Sequence, residues 1–451
     1  MGNALQQYLD LYRKHGELLR SKSAPAFNRL REEAFHNLEA TGLPKRGSEN
    51  YEETDLDAML APDYGLNIAR IPIDVNTSEI FRCGLPHLSS SLFFMLNDLW
   101  AEKKGARQGL PEGIEIGPLS KYICEEKAAE KYGNLAALAN PIVALNTMLA
   151  QEGLYIRVRE GVKVEKTIQL VNILENMMPL MAIRRLLIIL ERDSELKLLT
   201  CSHTSTGGIP MASVSVAEVY VGENARFDFY DMEESGQDTR RLTALYLEQE
   251  QGSDVLIDSF TLHNGLTRNE YHCRFAGKDA SLRLYGMGIE SGENVLDNYS
   301  HIRHDMKNCH TEELFKYIVE DEARGAFTGR IYVAPGASGT EAFQSNRNIV
   351  NSPKAKMYSK PQLEIYNDDV KCSHGSATGQ LDATQMFYMR SRGLSVEEAS
   401  LLLKQAFMAD VIGGIRLPML RDRLHTLVER RFSGEDLTCG QCEICNAPEN
   451  V

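Results

Sequence analysis

Hydrophobic and polar residues follow two different rhythms along this chain. From about residue 152 to residue 380 the period is two. LYIRVREGVKVEKTIQLVNIL, RRLLIILERDSELKLLTCS and VSVAEVYVGENARFDFYDMEE alternate aliphatic, β-branched and aromatic residues with polar ones, broken by short polar turns. The turns recur: Glu195, Ala225, Asp254 and Ala280 each follow a polar bend and open a new run, about 26 to 30 residues apart, and Ala326 in ARGAFTGRI is read as continuing the series. A strand–bend–strand unit repeating at that period, with no helices between strands, predicts a stacked parallel β-solenoid. A β-sandwich is the alternative. The regular period and the scarcity of tight Asn-Gly hairpins favour the solenoid.

On either side the period lengthens. Leu5, Leu9, Tyr12 and Leu18/Leu19, then Phe27, Leu30, Ala34 and Leu38, form apolar stripes at three-to-four spacing and predict helices up to about residue 60. Between about 70 and 150 the signal is mixed: IPIDV reads as a strand, SSLFFMLNDLWAEKKG and LSKYICEEKAAEKYG as helices. Beyond residue 380, Asp382 caps a helix that Gly393 ends, and Ser395 with Glu398 forms a capping box for a second, carrying Ala399, Leu402, Leu403, Ala406 and Phe407 on one face. Gly413-Gly414 stops it, and Pro418 starts a third through Leu420, Leu424, Leu427 and Val428. The predicted layout is a mainly helical region (1–150), a β-solenoid core (151–380), a C-terminal helical domain (381–432) and a cysteine-containing tail (433–451).

Composition narrows the partners. A formal net charge of −14 over 451 residues argues against nucleic acid or an anionic membrane. The most apolar segment, MPLMAIRRLLIIL, is interrupted by Arg184 and Arg185 and is too short to span a bilayer. The N-terminus is amphipathic without a secretory pattern, so a cytoplasmic location is expected. Of nine cysteines, Cys83, Cys124, Cys201, Cys273, Cys309 and Cys372 are scattered, as reduced thiols would be, and only Cys439, Cys442 and Cys445 cluster.

Chemistry concentrates in the stretch from Pro361 to Gly393. Cys372 and His374 stand two apart on a predicted strand and so share a face. A thiol beside an imidazole can hold iron or zinc, or act as nucleophile and base. GSATG reads as a flexible join to the next helix. His301, His304, Cys309 and His310 have the look of a zinc site. However, a spacing of three on a strand sends His301 and His304 to opposite faces, which favours histidines paired within the solenoid. In the tail, C-x-x-C-x-x-C offers three thiolates for zinc or iron with no fourth ligand adjacent; a redox dithiol is the other reading. There is no phosphate-binding loop, nucleophile elbow or dinucleotide fingerprint, so hydrolysis of ATP by this chain is not expected. A β-solenoid enzyme acting on polysaccharide or acyl groups is the alternative class. Asp368 and Asp369 are adjacent and point oppositely on a strand, which makes them a poor acid–base pair.

LEIYNDDVKCSHG followed by QMFYMRSRGL resembles the SufD branch of the SufB/SufD family, scaffold subunits of the Suf iron–sulfur cluster assembly machine. Lys371-Cys372-Ser373-His374 stands where the SufB branch carries a glutamate–histidine–glutamate stretch, and Gly375-Ser376-Ala377-Thr378 replaces the family's usual Gly-Ala-Thr. TGLPKRGSENYEETDL is similar to the family's N-terminal signature, with Tyr51 where a tryptophan is common. The resemblance implies a right-handed parallel β-helix with helical ends and a non-catalytic scaffold that pairs with SufB and with two copies of the ATPase SufC. It implies no permanently bound cofactor: iron or a nascent cluster would be held transiently at the SufB interface, near His374 and Cys372. SufC would dock on 381–432, where Phe387, Tyr388, Arg390 and Arg392 are of the types that dominate interfaces. A homodimer of the isolated chain is compatible with this. The tail cysteines lie outside the resemblance.

Overall fold

In the computed structural model, which describes residues 4–71, 90–204 and 207–434, the alternating segment winds into a parallel β-helix of about eight two-strand coils. Two strands, β1 (Ser90–Leu96) and β2 (Leu99–Glu102), form a hairpin at one end, and β3 (Ile114–Pro118) pairs antiparallel with β4 (Gly153–Val158). From there the strands go alternately to two sheets. One receives β4, β6 (Leu180–Leu190), β8 (Met211–Val221), β10 (Thr239–Gln249), β12 (Leu266–Phe275), β14 (Val295–His304), β16 (Arg324–Val333) and β18 (Lys356–Ile365). The other receives β5 (Thr167–Leu174), β7 (Glu195–Thr204), β9 (Arg226–Glu234), β11 (Asp254–His263), β13 (Ser281–Glu290), β15 (His310–Val319), β17 (Thr340–Val350) and β19 (Val370–Gly379). Because the coils from β4 and β5 onward pair in parallel and, apart from one shift between β9 and β11 at Thr261–His263, in register, like positions stack coil upon coil.

Inward side chains such as Phe227, Phe229, Val255, Ile257, Leu282 and Leu284 fill the space between the sheets against Leu245, Tyr271 and Ile302. The outer faces are covered too. Helices α1 (Ala4–Ser21), α2 (Pro25–Asn28), α3 (Arg31–Thr41), α4 (Leu56–Met59), α5 (Leu119–Tyr122), α6 (Glu126–Lys131) and α7 (Pro141–Leu149) gather on the first sheet, over Tyr155, Ile183, Leu187, Val214 and Leu242. Of three C-terminal helices, α8 (Ala383–Ser391), α9 (Val396–Gly413) and α10 (Pro418–Ser433), the last two lie along the second sheet over Tyr230, Met232, Leu256, Phe260 and Met287. Burial on both faces explains why runs such as LMAIRRLLIIL are nearly continuously apolar.

One corner of the helix is built by a recurring left-handed residue. Asp193, Asn224, Asp279 and Asn308 have φ of 53 to 57°, and Gly252 and Gly339 take the same place at 68° and 74°. Asn and Asp tolerate this conformation better than other residues with a Cβ. Each hands its N–H to the next coil: Asn224 to the Gln251 carbonyl at 2.8 Å, Asp279 to Lys307 at 3.1 Å, Asn308 to Ser338 at 2.9 Å.

Several expectations are corrected. SSLFFMLNDLWAEKKG is not a helix but the β1–β2 hairpin. Its run is too uniformly apolar to carry a period, and Asn97, at φ 53°, supplies the turn. Ala326 does not continue the turn series. It lies on β16 in the other sheet, whereas the coil after Ser281 opens at His310. GSATG is no loose join, since it completes β19 in register with β17 as far as Gly379. LSKYICEEKAAEKYG breaks into two short helices, α5 and α6, and IPIDV beyond Ile71 lies outside the described residues. No described helix is long and apolar enough to cross a membrane.

Candidate functional site

Strands β18 and β19 end the two stacks, each with a neighbour on one side only, so the solenoid finishes in two exposed edges. Along β19 the inward positions are fixed by what they meet. Cys372 lies half-buried against the interior core, and Ser376 Oγ faces Ser359 Oγ of β18 at 2.7 Å across the mouth. His374 falls between them and therefore also on the inward face. It is exposed only because no further coil stacks on it. Burial pushes the Cys372 thiol up, against the pull of a hydrogen bond with the Ala342 backbone, so the thiol keeps its proton in the isolated chain.

One coil deeper the inward row turns polar. Gln344 is in register with His374, and Glu313 with Gln344. The Gln344 amide donates to Glu313 Oε2 at 2.6 Å. Burial pushes the Glu313 carboxyl up to about 7, opposed by hydrogen bonds with Ser300 and Gln344. His374 also borders a cleft of about 510 Å³, whose lining includes Tyr285, Glu312, Glu313, Phe343, Gln344, Arg347, Ser373 and Asp410.

The second histidine group is dispersed. His304 points inward, is fully buried against Phe275, and shares a 2.9 Å hydrogen bond with Thr311; burial depresses it to about 3, so it stays neutral. His301 points outward beside His272, ring centroids 6.4 Å apart, and is lowered to about 4 by burial and then by neighbouring cations. Cys309 lies buried near the carbonyls of Gly277 and Lys307, and His310 lies near Glu341. Among the described residues no three His, Cys, Asp or Glu side chains converge to hold a metal. Cys439, Cys442 and Cys445 lie outside the described residues.

Helix α8 stands away from the body. Asp382 caps it, accepting from Thr384 and Gln385 N–H at 2.7 and 2.9 Å, yet none of its residues is buried. Phe387 is 75% and Tyr388 57% exposed, and Arg390 and Arg392 are exposed beside them. Arg392 reaches back over the Tyr388 ring and donates to its hydroxyl at 3.1 Å. The buried polar residues were not anticipated from sequence. Arg185 and Glu218 pair in the first sheet's outer layer, and Tyr51 seats on Arg268 while donating to Glu270 at 2.8 Å. For Arg185 and Glu218 the available signal was a charged residue at a position whose neighbours two away are apolar or aromatic; Arg268 and Glu270 carry no such signal.

Comparison with known proteins gives matches along most of the chain. The family model described as "SUF system FeS cluster assembly, SufBD core domain" matches residues 173–407, and "SufBD protein N-terminal region" matches residues 2–170. An iron–sulfur cluster assembly SufBD family protein of Synechocystis is 27% identical over 403 residues, 86% of this chain and 87% of that protein. The iron–sulfur cluster assembly protein SufD of Escherichia coli is 34% identical over 176 residues, 39% of this chain and 42% of its own. A chloroplastic protein of Arabidopsis thaliana is 26% identical over 421 residues, 91% of this chain and 86% of its own.

Proposed function

This chain belongs to the SufB/SufD family of iron–sulfur cluster assembly proteins, and from that premise we propose that it is a scaffold subunit of the SufD type. In this reading it pairs with a SufB-type paralogue, engages the ATPase SufC, and performs no turnover alone. One observation carries the proposal: the solenoid ends in two open edge strands that bring Cys372 and His374 to its mouth. Unpaired strand edges invite another strand, so a partner solenoid docking there would complete the backbone ladder and enclose the two side chains. Iron or a nascent cluster is then cargo, held for a time at the junction by the neutral imidazole and by thiolates that the partner supplies. Co-expression with a SufB-type and a SufC-type protein tests this. The expected result is a stable complex that builds clusters when ATP is hydrolysed. Recovery of this chain alone, or turnover of a polysaccharide or acyl substrate by it, would sink the reading.

The C-terminal helices are proposed as the SufC contact. Helices α9 and α10 are fastened to the second sheet by Lys316–Asp410 and by Arg416, which reaches Asp228 at 2.6 Å, leaving α8 to present Phe387, Tyr388, Arg390 and Arg392. Deleting residues 381–451 should abolish co-purification of SufC and spare the SufB-type contact along β18 and β19; retained SufC would overturn the assignment. The tail is proposed as a metal site. Anaerobically purified protein should carry about one zinc or iron per chain that the Cys439→Ser/Cys442→Ser/Cys445→Ser variant lacks. Equal metal content would refute it.

A further inference from the structure

We propose that Glu313 and Gln344 are positioning residues that set which ring nitrogen His374 presents at the mouth of the solenoid. The role, though not the geometry, rests on the reading of His374 as the iron-facing group. The three residues occupy adjacent strands of one sheet, in register and on its inward face: Glu313 on β15, Gln344 on β17, His374 on β19. Neighbouring strands are about 4.8 Å apart, so consecutive side chains of the row are within hydrogen-bonding reach of one another. The row has one closed end, because the position before Glu313 is Leu284.

Glu313 Oε2 accepts from the amide nitrogen of Gln344, at 2.6 Å. That bond uses one of the amide's two N–H groups and fixes which end of the amide faces Glu313. Gln344 Oε1 has no partner within the described residues, although Gln344 is only 3% exposed and Glu313 1%. A buried carbonyl left unpaired is unfavourable, so the site is set to receive a donor. The opposite sheet makes room for the amide: a Cβ at Gly329 would meet Gln344 Nε2 at 2.2 Å. The next inward side chain beyond the amide is His374. When its ring N–H donates to Gln344 Oε1, the tautomer is fixed and the other ring nitrogen keeps its lone pair for a metal. The polarity of the row runs one way only. Without the carboxylate the amide is free to turn over and point N–H at the ring, which then accepts on its inner nitrogen and carries its proton on the outer one, with no lone pair left for a metal.

The test is imidazole-labelled full-length protein, with the His374 ring nitrogens assigned by their loss in His374→Ala. One tautomer should dominate in the wild type. Gln344→Met, close in volume and unable to accept, should equalise the two tautomers. Glu313→Gln, which keeps the shape and puts an amide able to donate or accept opposite Gln344, should move the ratio the same way. In the complex with its partners both variants should slow cluster assembly about tenfold while remaining folded at the assay temperature, with Gln344→Met lowering the unfolding midpoint because it leaves Glu313 without its donor. Unchanged ring-nitrogen signals in folded Gln344→Met would overturn the proposal. So would an altered tautomer with wild-type assembly. Failure of the site reading shows separately, as normal assembly by the His374→Ala complex.

Discussion

Replacing His374 by alanine should leave the chain folded and the complex assembled while lowering cluster formation by about ten- to a hundredfold. The side chain stands on the last strand with no coil beyond it, so its removal opens no cavity. Exposed substitutions of this kind usually stay within about 0.5 kcal/mol of the parent. What is lost is a neutral nitrogen donor of the type that binds ferrous iron. Cys372→Ala should cost assembly less and stability more. Its thiol is half-buried against the interior core and held protonated by burial, so in the isolated chain it packs better than it ligates. The measurement is iron and sulfide content of the purified complex against time, beside thermal unfolding of each variant alone. A His374→Ala chain that unfolds marks a core histidine. One that assembles clusters at the parent rate moves the site elsewhere.

How much of the fold is legible in the sequence depends on which physical signal each residue carries. The solenoid is legible because a coil must return to the same corner, and a corner needs a residue that tolerates positive φ. Asp193, Asn224, Gly252, Asp279, Asn308 and Gly339 write that requirement into the sequence at intervals of 27 to 31 residues. The β1–β2 hairpin is not legible, since LFFML is apolar at every position and periodicity cannot separate strand from helix there. Ala326 is misplaced for a related reason. Both sheets send small or apolar residues inward at every coil, and the spacing alone does not say which sheet a run belongs to. The C-terminal helices are legible from their caps: Asp382, Ser395 with Glu398, and Pro418 each occupy the predicted place.

The candidate site is legible only in part. The alternation of side chains along a strand is enough to put Cys372 and His374 on one face. It gives no hint of Glu313 and Gln344, which lie about 60 and 30 residues earlier and join the row through the coil period. The surface tetrad on α8 follows from residue type alone. That the helix buries nothing is a tertiary fact, fixed by α9 and α10 taking the apolar face of the sheet.

The most destabilising single change should be Arg185→Met. Arg185 leaves the first sheet on its outer side and meets Glu218 at 2.7 Å, with both side chains wholly buried. Its guanidinium lies over the Tyr132 ring, 5.0 Å from the centroid, and reaches Thr147 Oγ1 at 3.2 Å. Glu218 in turn accepts the N–H groups of Gly133, Leu135 and Ala136 at 2.8, 2.9 and 3.1 Å, so the pair fastens the loop before α7 to the solenoid. A methionine fills the space but strands a buried carboxylate without its cation, a loss of about 3–5 kcal/mol. Adding Glu218→Gln to Arg185→Met removes the orphaned charge and keeps a carbonyl for the loop, so the double variant should recover more than half of that loss. Hydrogen exchange locates the effect. The amides of Gly133, Leu135 and Ala136 should lose protection in the single variant while those of β11 to β17 keep theirs. An Arg185→Met chain within about 1 kcal/mol of the parent would mean that backbone donors alone carry Glu218, and that the guanidinium is dispensable to the N-terminal layer.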